Sequence, residues 1–178
     1  MDKKKLTSVL SAVGAFAVAL VMFLISNHNI KTARKMHDQL SAGVTEITRL
    51  TSELAEAGQQ GGKPQMLTYV REHKPQAVAA ANKIRAVCDY YEKLRVPSAL
   101  RSKLSAIRAS IPGMRVFLDS FEGIFKEVML ESELKSAVFT ANLSAESPSV
   151  KSFILSEQAF ISEMEHLDWQ RKGGLVWL

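Results

Sequence analysis

Between Lys5 and Lys31 the chain carries no lysine, arginine, aspartate or glutamate, and from Leu6 to Ile25 it is nearly all apolar. A helix rises about 1.5 Å per residue, so ~20 such residues cross the ~30 Å hydrocarbon layer of a bilayer. A water-facing domain has little use for a terminal helix that is apolar on every face. The sequence therefore predicts a single membrane-spanning helix over 6–29, with Val13, Phe16, Leu20, Phe23 and Ile25 against lipid. Lys3, Lys4 and Lys5 before the run would also suit a cleaved secretion signal. Ile25-Ser26-Asn27-His28-Asn29 lacks the small-x-small cleavage pattern, and Ala17-Val18-Ala19 falls inside the apolar run, so an uncleaved signal anchor is expected. The three lysines are set against Lys31, Arg34 and Lys35 on the far side. Packed tightly against the span, they favour a short cytoplasmic tail over 1–5 and an extracytoplasmic domain beyond. The expected location is the cell inner membrane or plasma membrane, with the domain in the periplasm if the source is bacterial.

Residues 30–172 are enough for one soluble domain with its own core. Cys88 is the single cysteine, so no internal disulfide is available and the thiol is expected as a small buried apolar group. Ala33, Met36, Leu40, Gly43, Ile47, Leu50, Leu54 and Ala57 recur at alternating gaps of three and four, the stripe of a coiled-coil-like helix continuous with the span. Its break is expected at Gly58-Gln59-Gln60-Gly61-Gly62-Lys63-Pro64. A second helix follows from about Gln65 to Arg95, kinked or restarted at Pro75, with Val78, Ala81, Ile84, Val87, Cys88, Tyr91 and Leu94 inward. Leu100, Leu104, Ile107 and Ile111 mark a third helix, interrupted at Pro112-Gly113. It then continues to about Ala141 on a stripe of Val116, Phe117, Phe121, Ile124, Phe125, Val128 and Met129. Ser147-Pro148 should start a fourth, burying Phe153, Ile154, Phe160, Ile161, Met164 and Leu167 and ending between Trp169 and Lys172. The fold class is thus all-α: the span, then a four-helix bundle of up-down-up-down type. The tail over 173–178 is apolar. An interfacial contact of Trp177 and Leu178 with the membrane is expected, since the fourth helix would return toward the surface from which the first rose; the alternative is a tail folded back over an apolar groove of its own bundle or a neighbour's.

The net charge of +5 conceals two opposed halves. From Arg71 to Arg115 ten lysines and arginines stand against three carboxylates, and from Val116 to Gln170 ten carboxylates stand against three lysines. Such halves meet either within the molecule or between molecules, where complementary potentials set register. Arg101, Lys103 and Arg108 are the basic candidates for a contact, and Leu40, Ile47 and Leu54 the apolar ones.

Catalytic chemistry finds no foothold. Glu163 and His166 have Glu-x-x-His spacing, but a di-iron bundle needs a second such pair and two further glutamates, which the other histidines do not provide. There is no His-Glu-x-x-His motif, cysteine pair or Gly-x-Ser-x-Gly elbow, and Lys63 precedes Pro64 where a phosphate loop needs Ser or Thr. Asn142-Leu143-Ser144 matches the glycosylation pattern, which is too short to carry weight. Tyr90, Tyr91 and Phe117 interleave the basic stretch but occupy core positions, so nucleic acid is not an expected partner. The expectation is a non-enzymatic protein without cofactor or metal, an accessory, scaffold or assembly subunit of a membrane complex. Its partners would be membrane lipid and other subunits or further copies of itself. The alternative is a ligand-sensing helical ectodomain that signals through a partner.

Overall fold

The computed structural model describes the backbone of residues 3–126, 132–136, 138 and 148–175, and the side chains of 29–126, 132–136, 138 and 148–168. Every element among them is helical. Helix α1 runs Lys3–Lys93, a 3-10 turn covers Ser98–Leu100, α2 runs Arg101–Ile124 and α3 runs Pro148–Leu175.

Helix α1 is in fact a hairpin. Its one non-helical residue is Gly62, at φ 64° and ψ −150°, a conformation open essentially to glycine alone. The residues on either side confirm the reversal: a Cβ on Gly43 would lie 2.7 Å from Ile84, a Cβ on Gly58 would lie 2.9 Å from Met66, and Tyr69 bonds Glu53. Partners therefore converge in number toward Gly62, so the first limb (3–61) and the second (63–93) are antiparallel. The break expected across Gly58 to Pro64 is confined to one residue. Pro64 fits because the first turn of the second limb has no use for its missing N–H, and Gly58 stays helical to admit the Met66 thioether.

Two further prolines sit inside helices without ending them. Pro75 is exposed, so its ring meets solvent while Ala77, Ala80 and Ala81 lock the opposite face into the core. At Pro112-Gly113 the expected interruption is absent. A Cβ on Gly113 would lie 2.9 Å from the Ser149 Cβ, so close packing of α3 holds this part of α2 helical. Helix α2 does stop early, at Ile124 and not near Ala141. There the amides of Phe125 and Lys126 turn back to Glu122 and Gly123, tightening the last turn to 3-10 geometry. Helix α3 begins at Pro148 as expected but its backbone continues through Gly173-Gly174 to Leu175.

The second limb pairs with α2 through Arg85 to Asp119 and Arg115 to Asp89, and the first limb pairs with α3 through Arg34 to Glu165 and His37 to Glu157. In each pair the residue numbers run in opposite senses. Four helical segments thus alternate in direction around one core of Leu40, Ile47, Leu50, Leu54, Ile84, Tyr91, Ile107, Phe121, Phe153 and Phe160. Val78 and Val116, expected inside, are exposed; Ala77 and Phe117 take the inward positions beside them.

All of the expected span over 6–29 but its last residue lies outside the residues whose side chains are described, as do Trp177, Leu178 and the tail. Among the described residues no helix is long and apolar enough to cross a membrane. The expectations of a span and a signal anchor therefore draw no support from the structure.

Candidate functional site

Helix α3 buries Val150, Phe153, Phe160 and Met164, and the same face includes Glu157, four residues after Phe153 and three before Phe160. Glu157 is wholly inaccessible to solvent. A buried carboxylate costs several kcal/mol unless its oxygens find donors, and here both do. The Tyr91 hydroxyl, from the second limb, donates to one oxygen at 3.0 Å; His37 Nδ1, from the first limb, stands 2.7 Å from the other. Burial pushes the Glu157 carboxyl above its ordinary range; the bonds to His37 and Tyr91 oppose that shift and the charge of Asp38 adds to it. Burial, then the Glu157 charge, raises the Tyr91 phenol as well. The Tyr91 ring is fixed by near-perpendicular contacts with Phe153 and Phe160, at centroid separations of 6.4 and 5.7 Å. Three segments are thus tied at one level of the bundle. His37, about 37% exposed, links the buried carboxylate to solvent. With Glu157 ionised, Nδ1 carries the proton of that bond; with Glu157 neutral, the roles reverse.

The sequence carries one signal for this cluster, a carboxylate in phase with the apolar stripe of α3, which belongs to no motif. The Glu163/His166 pair is not part of it, and among the described residues no group of three metal-ligating side chains converges. Leu40, Ile47 and Leu54 are buried within the chain's own core, which leaves them no free surface for a partner. Arg101 and Lys103 are exposed. Arg108 turns back to donate to the carbonyls of Tyr91, Glu92 and Leu94 at 3.1, 2.9 and 2.7 Å, capping the end of the second limb. Val13, Phe16, Leu20, Phe23, Ile25, Trp177 and Leu178 lie outside the described side chains.

The opposed charge halves meet in part inside the molecule. Arg85 of the basic half binds Asp119 at 2.9 Å and Glu122 of the acidic half. Arg115 instead takes Asp89 and Glu92 from its own half, at 2.9 and 2.8 Å. Exposed pairs of this kind contribute ~1 kcal/mol or less.

Among the described residues, two concavities bear on the surface charge. One, about 630 Å³, lies between the limbs and is lined by Asp38, Thr45, Glu46, Gln76 and Lys83 among small residues. The other, about 870 Å³, lies where α1 passes into α2 and is lined by Glu92, Lys93, Arg95, Arg101 and Arg108 with Leu94, Val96 and Leu104. Neither is lined by His37, Tyr91 or Glu157. Comparison of the chain with protein-family models, curated proteins and solved structures finds no match.

Proposed function

We propose that this protein is a membrane-anchored, non-enzymatic interaction subunit: residues 6–29 hold it in the bilayer with 1–5 cytoplasmic, and the bundle that follows is an extracytoplasmic platform for other subunits of a membrane complex. The observation that carries the reading is how the ionisable groups divide. The buried carboxylate is closed off by two internal donors and joins three helical segments, as a structural tie would. Lys93, Arg95 and Arg101 of the 870 Å³ concavity are instead exposed at the surface, where a partner can reach them.

The apolar run Leu6 to Ile25 supports the anchor on hydropathy alone. A mild-detergent extract of the intact protein should yield it together with partner subunits or as an oligomer, while alkaline carbonate should leave it in the membrane fraction. Recovery as a bare monomer would count against the complex, and release by carbonate against the anchor. A reporter active solely in the cytoplasm, fused after Leu178, should stay silent; activity there would reverse the orientation.

A further inference from the structure

We infer that the concavity between the end of α1 and the start of α2 binds the phosphate headgroups of anionic phospholipid, an assignment that rests on the anchored reading above. Its lining holds Lys93, Arg95, Arg101 and Arg108, and its one carboxylate, Glu92, is bound to Arg115. Elsewhere in the bundle arginines are engaged, Arg34 with Glu165, Arg49 with Glu46 and Glu53, Arg85 with Asp119 and Glu122, and in the hollow itself Arg108 is held by three carbonyls. Arg95 and Arg101 are the exceptions, since no hydrogen bond or ion pair holds either of them among the described residues. Both line the same hollow, with Lys93 beside one and exposed Lys103 near the other. Of the carboxylates near this end, Asp89 and Glu92 are bound to Arg115 and Glu165 to Arg34, and no residue of α3 lines the hollow. Guanidinium groups present a planar fork of donors that matches phosphate oxygens. Two left without partners at one hollow describe a place for a phosphate.

Position selects the source of that phosphate. The two limbs of α1 are antiparallel with Gly43 against Ile84 and Glu53 against Tyr69. Continuing that register puts Arg95 level with about residue 30, at ~1.5 Å per residue on both limbs. Residue 30 is where the proposed span ends. The hollow therefore stands at headgroup height when 6–29 are in the bilayer, and a phospholipid headgroup is the anion already there.

The test uses the full chain in nanodiscs of phosphatidylcholine with and without phosphatidylglycerol, reading amide exchange over 93–104, with carbonate extraction from membranes as a separate measure of anchoring. Phosphatidylglycerol should slow exchange in this segment. Neutralising both arginines, R95Q with R101Q, should weaken that response about 30-fold, at roughly fivefold per cation near an anionic surface. R95K with R101K should keep an intermediate response, because charge remains and the fork is lost. Both positions are exposed, and unchanged exchange over 77–91 would show the variants folded; should the glutamine pair fail that control, the lysine pair carries the test.

Equal exchange with and without phosphatidylglycerol in a carbonate-resistant chain would overturn the lipid site and leave the anchor standing. Release by carbonate would overturn the anchored reading and the site with it. An undiminished response in the glutamine pair would remove these arginines from it. Equal slowing by inorganic phosphate or a short RNA duplex in phosphatidylcholine alone would also refute the lipid assignment.

Discussion

Tyr90 and Tyr91 are adjacent in sequence, and the same substitution should do opposite things at the two positions. The Tyr91 hydroxyl is one of two donors to a carboxylate with no access to water. Tyr91→Phe keeps the ring and its contacts with Phe153 and Phe160 but strips Glu157 of that donor. A hydrogen bond to a charged acceptor contributes about 1.5–3 kcal/mol, and about 1 if the acceptor is neutral. A loss of about 1–3 kcal/mol is expected, at the upper end with Glu157 ionised. The Tyr90 hydroxyl, by contrast, is buried and has no partner among the described residues. Tyr90→Phe should therefore be neutral or stabilising by up to about 1 kcal/mol. Glu157→Gln retains an acceptor for Tyr91 and a donor for His37, so it should cost less than Tyr91→Phe.

The pH dependence follows from the direction of the shift. The Glu157 carboxyl titrates above its unfolded value of 4.5, so its contribution to stability is whole below that value and is lost as pH rises through the folded value. Glutamine cannot ionise. The stability of Glu157→Gln relative to the wild type should accordingly rise as pH climbs above about 4.5. Glu46 and Glu53 act in the opposite sense. Their carboxyls are lowered, Glu46 chiefly by its bond to Arg49 and Glu53 by Tyr69 and then Arg49, so their share is lost as pH falls. The comparison must therefore be made between variants at each pH. Denaturant unfolding followed by circular dichroism, in one detergent throughout, measures all of these differences. A Tyr91→Phe loss below about 0.5 kcal/mol, or a Glu157→Gln variant that loses ground against the wild type as pH rises, would refute the account of the cluster.

Gly62→Ala forces a side chain into a backbone region reserved for glycine and should cost about 1–3 kcal/mol in the same unfolding assay; a smaller loss would mean the hairpin turns some other way. Gly43→Ala sets a methyl 2.7 Å from the Ile84 Cγ1 and 3.3 Å from the Ala80 carbonyl, so the limbs must part, at about 1–3 kcal/mol. Pairing it with Ile84→Val should recover part of the loss, and strict additivity of the two would deny the contact. Arg108→Ala leaves three carbonyls without their donor and should cost about 1–2 kcal/mol, with faster amide exchange in the last turn of the second limb.

The apolar stripes were legible because period is a local property: Leu40, Ile47, Leu50 and Leu54 recur at helical spacing and are all buried. The start of α3 at Pro148 was legible for the same kind of reason. Where the reading failed, packing had overridden local preference. Pro75 and Pro112 look like breaks in isolation, yet one faces solvent and the other precedes a glycine on which Ser149 packs. The end of α2 carried no proline to mark it. The Glu157 cluster stayed hidden for a different cause, since its members lie 54 and 66 residues apart along the chain and only the bundle brings them together. Charge tallies pointed to opposed halves but could not assign partners, and Arg115 chose carboxylates from its own side.

The backbone of α1 has no non-helical residue before Gly62, so nothing articulated separates residues 6–29 from the bundle. A stalk of this kind transmits orientation. From residue 30 to the turn at Gly62 the limb measures about 46 Å, at ~1.5 Å per residue. With 6–29 embedded, whatever inclination the bilayer imposes on the rod is inherited by the whole domain, and a lean of about 20°, ordinary for a spanning helix, swings the hairpin tip sideways by about 16 Å. Bilayer thickness would then set where that tip searches for a neighbour.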